Sequence, residues 1–451
     1  MLKKILIANR GEIAVRIIRA CRELGISTVA IYSEADKYAL HTQMADEAVC
    51  VGGPQSKDSY LNMTNILSAC VLTGCEGIHP GFGFLSENPK FAKMCEECNI
   101  KYIGPDYKII ELMGNKAKAR EVMKKANVPV VPGYEGEITS VSQALEIAKE
   151  IGFPVMIKAA AGGGGKGIRI VNEEGEFEHN YNAAKLESKA CFSDDRIYIE
   201  KFIQKPRHIE FQILADEYGN TIHLGERECS LQRNNQKVLE EAPSTFLNPK
   251  LREKMGEVAK CAAKAVNYEN AGTIEFLLDE KSGQFYFMEM NTRIQVEHPI
   301  TEMVTGVDIV KEQLKIASGK KLDLIQDDIC ISGNAIECRI NAEDTDNNFR
   351  PSPGLIKELY IPSGPGVRVD SAIYSGYEIP PYYDSMIGKM ITYGATRDEA
   401  IIKMKRALGE FAIGGVKTNI DFQYSILNNR DFLKGNYDTS FIAEKLVRNN
   451  A

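Results

Sequence analysis

Through the first hundred residues, short apolar runs alternate with stretches of helical period. Residues 5–8, 28–32, 48–51 and 77–79 are apolar or β-branched, while 12–24 carries its apolar positions at helical spacing. Strands separated by helices of about a dozen residues predict βαβ units around a parallel sheet. Asn115 is placed to N-cap a helix over 116–126, and Val128-Pro-Val-Val-Pro-Gly133 then breaks the helix and marks a linker. Beyond it the pattern changes. Residues 197–203, 208–215 and 221–224 alternate as strands, with Glu217-Tyr-Gly-Asn220 as a hairpin turn. Residues 273–278 and 285–290 flank a turn at Ser282-Gly283, so the middle of the chain predicts an antiparallel α+β unit. From 332 onward, short strands are expected between Pro and Gly turns at 351–354 and 362–366, followed by a helix over 397–411. The expected fold class is α/β and α+β, multi-domain.

A chain of 451 residues has room for two or three such domains. Lys and Arg number 55 against 62 Asp and Glu, a net charge of −7, which argues against a nucleic-acid partner because phosphate backbones select basic surfaces. Apolar residues at 44% and charged residues at 26% form a soluble globular balance that calls for no membrane. The 11 cysteines are odd in number and mostly sit within apolar patterns, which reads as reduced thiols of a cytoplasmic protein. Cys95 and Cys98 make a solitary C-x-x-C with no second pair at zinc spacing. The opening apolar run stops at Asn9, as a first strand does and a signal peptide does not.

The segment Gly162-Gly-Gly-Gly-Lys-Gly167 satisfies G-x-G-x-x-G as a pattern, but β-branched residues 168–171 follow it where a dinucleotide site needs a helix. Lys166 is followed by Gly167 rather than Ser or Thr, which excludes a phosphate loop of Walker type. A glycine loop between two strands can fold over phosphates and offer its N–H groups, or it can be a plain mobile connector. Lys158 ends the preceding strand and Lys116 opens a helix; both are cations for a polyphosphate, or solvated lysines. Glu275 and Glu289 are carboxylates inside apolar strands, and at period two Glu289 shares a face with Asn291. Two carboxylates and an amide oxygen form a hard, all-oxygen set for Mg²⁺ or Mn²⁺; the alternative is a wet strand edge. Arg293, Gln295 and Glu297 then alternate as an anion cradle with a possible base.

The run Glu289-Met-Asn-Thr-Arg-Ile-Gln-Val-Glu-His-Pro-Ile-Thr-Glu302 closely resembles biotin carboxylase, the ATP-grasp component of biotin-dependent carboxylases. So do His79-Pro-Gly-Phe-Gly-Phe-Leu-Ser-Glu-Asn88, Ile7-Ala-Asn-Arg-Gly-Glu-Ile13 and Cys338-Arg-Ile-Asn-Ala-Glu-Asp344, so the resemblance covers essentially the whole chain in order. It implies an N-terminal βαβ domain over 1–113, an ATP-grasp domain over 114–330 with a glycine-rich lid at about 131–203, and a β-rich C-terminal domain over 331–446. It also implies ATP-dependent carboxylation of biotin by bicarbonate through carboxyphosphate.

By the same resemblance, Glu275, Glu289 and Asn291 hold two metal ions, Mg²⁺ or Mn²⁺. Lys116, Lys158, Gly164, Gly165 and His208 contact ATP, while Glu200, Lys201, Phe202, Ile203, Gln232, Asn235 and Leu277 belong to its adenine and ribose pocket. Lys237, Arg293, Gln295 and the Val296 backbone cradle bicarbonate, with Glu297 as general base. Arg339 and Phe82 lie on the biotin side; Phe82 and Asn235 depart from the tyrosine and histidine that relatives carry there. His298 is expected to be structural. No Met-Lys-Met biotinylation sequence is present, so the biotin carboxyl carrier protein and the carboxyltransferase subunits are expected on other chains, and a homodimer is expected from the family. Acetyl-CoA carboxylase is the leading home for this half-reaction and pyruvate carboxylase the second. The rivals are another ATP-grasp ligase and an ATP-binding regulatory subunit without turnover.

Overall fold

The apolar runs at the start of the chain form a five-stranded parallel sheet in the order Glu47–Gly52, Ser27–Ser33, Lys4–Ile7, Gly77–His79, Lys101–Tyr102. Helix Gly11–Glu23 packs Ile13, Ile17 and Ile18 with Ile5 and Ile7 of that sheet in one apolar core. The lone glycine of the Asn9-Arg10-Gly11 turn sits at φ +66°, a left-handed conformation in which a Cβ is strained. That glycine serves the strand-to-helix turn. The computed structural model describes residues 1–134, 138, 140–159, 168–192 and 197–446. The glycine segment 162–167, with the expected ATP contacts Gly164 and Gly165, lies outside the described residues.

The described chain forms two units, one from Met1–Val128, Arg207–Phe276 and Glu289 onward, the other from Pro129–Pro206 and Leu277–Met288. An eight-stranded sheet runs in the order Phe285–Asn291, Asn270–Leu278, Arg207–Ala215, Thr221–Arg233, Gln236–Ala242, Asn334–Asn341, Met386–Gly394, Val367–Ser371. The last third of the chain therefore departs from its expected short strands. Asn334–Asn341 has eight residues, Met386–Gly394 has nine, and both are central to the sheet. The sequence hides this because Ile336, Cys338 and Ile340 alternate with Glu337 and Arg339, charged residues that are also shielded from solvent.

Thr221–Arg233 and Gln236–Ala242 are joined by two residues, Asn234 and Asn235, at φ +50° and +64°. Both central positions of such a hairpin need the left-handed region, which asparagine tolerates. The register pairs Gln232 with Lys237 and Leu231 with Leu239, so Val238 is an extra residue on its strand. That bulge lets Lys237 and Glu240, three positions apart, share one face. The opposite face buries Leu239, Ile336, Cys338, Ile340 and Met390 with Ile401, Met404 and Leu408 of helix Arg397–Glu410.

The second unit has an antiparallel sheet in the order Gly133–Tyr134, Ile197–Lys201, Val155–Ala159, Ile168–Val171. Helices Val141–Ile151 and Phe177–Phe192 belong to it, and Val155, Ile157, Val171, Phe177, Tyr181 and Ile199 form its core. No helix among the described residues is long and apolar enough to cross a membrane.

Candidate active site

Lys237 is the hub of the charged face. Its Nζ donates to Glu210 Oε2 at 2.5 Å, Glu297 Oε1 at 2.6 Å and Glu275 Oε1 at 3.0 Å, so each of its three protons meets a carboxylate. Burial alone would lower its pKa, but Glu210, Glu275 and Glu297 outweigh burial and hold the ammonium well above the ordinary lysine range. Beneath it, Arg227 is fully buried and uses all five N–H groups. They go to Glu210 at 2.5 Å, Gln212 at 2.7 Å, Thr301 at 3.0 Å, Thr273 at 3.1 Å and Gln295 at 3.2 Å. A guanidinium satisfied in this way fixes two strands, a loop and a helix relative to one another.

Glu297 lies between Lys237 and Arg339, whose Nη2 donates to its Oε2 at 3.0 Å while Nε donates to Glu240 at 2.6 Å. Burial raises an acid, yet Lys237, then Arg339 and Arg227, outweigh it and hold Glu297 far below the ordinary carboxylate range. Glu275 is depressed in the same way, with burial opposed by Lys237 and His208. Its Oε1 also accepts from Gln295 Nε2 at 2.7 Å and Asn291 Nδ2 at 2.8 Å, and His208 Nε2 lies 3.0 Å from its Oε2. His208, Glu210 and Glu275 present ligand atoms within 4.8 Å of one another, but Lys237 already serves both carboxylates as their cation.

The remaining expected residues sit around this centre in different degrees of solvent. Arg293 donates to Asn291 Oδ1 at 2.9 Å and to Glu87 Oε2 at 2.8 Å. Glu289 is 37% exposed at its side chain and pairs with Lys116 at 3.3 Å, whose own side chain is 84% exposed. Gln232 Nε2 lies 2.9 Å from His208 Nδ1. The Val296 carbonyl accepts from the buried Lys389 at 2.8 Å, and Lys389 also pairs with Glu12 at 3.1 Å. His298 is buried with Nδ1 2.7 Å from the Gln295 carbonyl, a packed residue as expected.

A cavity of about 510 Å³ opens beside this centre, and Phe82, Arg293, Val296 and Arg339 line it together with Arg10 and Tyr383. Asn9 Nδ2 donates to the carbonyls of Pro80 and Phe82 at 2.7 Å each, fixing the loop that presents Phe82.

In the second unit, Lys158 forms an ion pair with Glu200, and Lys201 donates to the Gly152 and Phe153 carbonyls at 2.7 and 3.0 Å. Phe202 donates its backbone N–H to the Pro154 carbonyl at 3.1 Å, and Ile203 is buried. Leu277 is half-buried at the end of its strand, and Asn235 forms the hairpin turn described above.

Sequence reasoning passed over Glu210, Arg227, Glu240, Glu337, Lys389 and Glu87. For Glu210 a signal existed: His208, Glu210 and Gln212 are polar at period two inside an otherwise apolar strand, the mark of a polar face turned inward. Arg227 and Lys389 carry no local mark, because their partners are distant in sequence.

Three family models match in order: "Biotin carboxylase, N-terminal domain" over residues 1–110, "Carbamoyl-phosphate synthase L chain, ATP binding domain" over 115–325, and "Biotin carboxylase C-terminal domain" over 337–444. Biotin carboxylase 1 of Bacillus subtilis is 60% identical across 98% of both chains. A pyruvate carboxylase subunit of Methanothermobacter thermautotrophicus is 55% identical across 98% of this chain and 90% of its own. A crystal structure of the biotin carboxylase domain dimer of Hydrogenobacter thermophilus 2-oxoglutarate carboxylase, in complex with MgADP, ADP and bicarbonate, superposes with a TM-score of 0.88 at 53% identity over 98% of each chain. The chain belongs to the biotin carboxylase family of ATP-dependent carboxylases.

Proposed function

We propose that this chain carboxylates biotin on a carrier protein, the first half-reaction of acetyl-CoA carboxylase, using ATP and bicarbonate. The observation that carries the reading is a carboxylate, Glu297, gripped by two cations beside a cavity of about 510 Å³. Bicarbonate is a poor electrophile because its leaving group would be hydroxide. Transfer of the γ-phosphoryl group to one of its oxygens gives carboxyphosphate and ADP, and attack by the ureido nitrogen of biotin then releases phosphate.

Glu297 is assigned as the base that accepts the bicarbonate proton. Held so far below its ordinary range it is weak alone, so the cations Lys237 and Arg293 must stabilise the carbonate charge as it develops. Gln295 and the Val296 backbone complete that cradle, with Lys389 orienting the Val296 carbonyl. Phe82 and Arg339 are assigned to the biotin side, which their places in the cavity lining support. Glu275, Glu289 and Asn291 offer an all-oxygen donor set that fits Mg²⁺ or Mn²⁺, and such ions when bound neutralise phosphate charge. Lys116, Lys158, Glu200–Ile203, His208, Gln232, Asn235, Leu277 and the glycine segment are assigned to ATP, within domains at 1–113, 114–330 and 331–446.

The partners that follow are a biotin carboxyl carrier protein, carboxyltransferase subunits and a second copy of the chain, in the cytoplasm. A pyruvate carboxylase role is the second reading, supported by the Methanothermobacter relative. ADP release measured with bicarbonate, with and without free biotin, tests the assignment: stimulation by biotin is expected, and strict dependence on a different amine acceptor overturns it.

A further inference from the structure

Glu240 and Glu337 stand opposite each other in register on neighbouring strands, and both are 0% exposed. Directly opposed residues of antiparallel strands project to the same face about 5 Å apart. Glu240 Oε1 accepts from Arg339 Nε at 2.6 Å; its Oε2, and both oxygens of Glu337, have no hydrogen-bond partner among the described residues. Helix His298–Thr305 covers this face, with Ile300 and Val304 packed beside Ala242, Ala335 and Ile391. Two carboxylates at this separation under an apolar cover ionise together only at raised pH, and below it the pair keeps a proton.

The groups that face the pair are few. Arg339 lies on the strand of Glu337, Lys389 on the next strand and Lys237 at the head of the strand of Glu240. Glu297 comes from the start of the covering helix, and the buried Cys229 thiol from the strand beyond. Burial pushes Glu240 up to about 7 and Glu337 well above the ordinary carboxylate range.

We propose that Glu240 and Glu337 are positioning residues that share one proton and thereby set how firmly Arg339 is held. The inference rests on Arg339 serving the biotin side, as assigned above. With the proton on the pair, Glu297 is the single full anion on Arg339, and the guanidinium is free to meet negative charge developing on the ureido oxygen. When the proton leaves to solvent, Glu240 becomes a second full anion and draws the guanidinium back.

Infrared difference spectra of the full chain through neutral pH, in H₂O and D₂O, test the shared proton without turnover. The expected result is a buried carboxylic-acid band at neutral pH that is lost in Glu337→Gln. The pH profile of the biotin-dependent kcat is expected to lose its near-neutral inflection in Glu240→Gln. In Glu337→Gln, which removes the opposing acid, that inflection should move to lower pH by on the order of one unit, with the KM for ATP unmoved. Should Glu240→Gln fail to fold, Glu337→Met replaces an unpartnered buried acid with an apolar chain and is expected to raise Tm while abolishing the band.

Absence of the band in the wild type, or an unaltered pH profile in folded variants, overturns the inference and leaves the assigned reaction standing. A band present without biotin-stimulated ADP release overturns the reaction instead, and with it the role given to Arg339.

Discussion

The strand Asn334–Asn341 has one face in oil and one face in charge. Ile336, Cys338 and Ile340 pack against a helix, whereas Glu337 and Arg339, on the other side of the same backbone, join Glu240, Glu297 and Lys389. Both faces are shielded from water, but they hold together for different reasons. On the apolar face each side chain contributes by area removed from water and tolerates replacement by shape. On the charged face, every ion depends on a particular partner, and removing one leaves the others buried and uncompensated. Stability can therefore be lost on either face, while chemistry should be lost on only one.

The sharpest way to break that contrast is Lys237→Met. It leaves Glu210, Glu275 and Glu297 without their shared cation and is expected to cost about 3–5 kcal/mol in chemical denaturation, together with turnover. Ile336→Ala on the opposite face is expected to cost about 2–5 kcal/mol as a cavity, yet keep its kcat per folded molecule. A catalytic loss there comparable to that of Lys237→Met would erase the distinction. Next, Arg293→Ala should lower kcat on the order of a hundredfold with ATP binding near normal; equal loss of nucleotide affinity, read by isothermal titration, would contradict its place in the bicarbonate cradle.

Acid and base limbs of stability sharpen the comparison further. Glu297 and Glu275 are depressed below the ordinary 4.5, so their contribution is present above that pH and lost as pH falls below it. Glu240 is raised to about 7, so its contribution is present below 4.5 and lost as pH rises through about 7. Denaturation midpoints followed from pH 2 to 8 should show Glu297→Gln flattening the acid limb and Glu240→Gln flattening the neutral one. The smallest effect expected is for Asn235→Val, about 1–2 kcal/mol for a β-branched residue forced to positive φ.

The βαβ start, the hairpin at 217–220, the cap at Asn115 and the α/β and α+β class were all legible, because each depends on local period or on one turn residue. The long strands 334–341 and 386–394 were not. Strands shielded on both faces but charged on one satisfy neither the alternating nor the continuous apolar pattern. The same limit applies to the site. Glu275, chosen from its strand, Asn291, Gln295 and Glu297, chosen from the motif, and Lys237, implied by the resemblance, meet around one ammonium and one carboxylate. Arg227, which anchors them, shares no stretch of sequence with its partners, and its five bonds exist only after the sheet has closed.

The spare residue at Val238 has a topological consequence. Because side chains change sides at every step along a strand, an unbulged strand of the same length would turn the ammonium of Lys237 toward Leu239's greasy neighbours; the spare valine absorbs one step and returns it to its three acids. A hairpin that slipped into regular pairing while keeping every residue would empty the site's centre and delete none of the groups that furnish it.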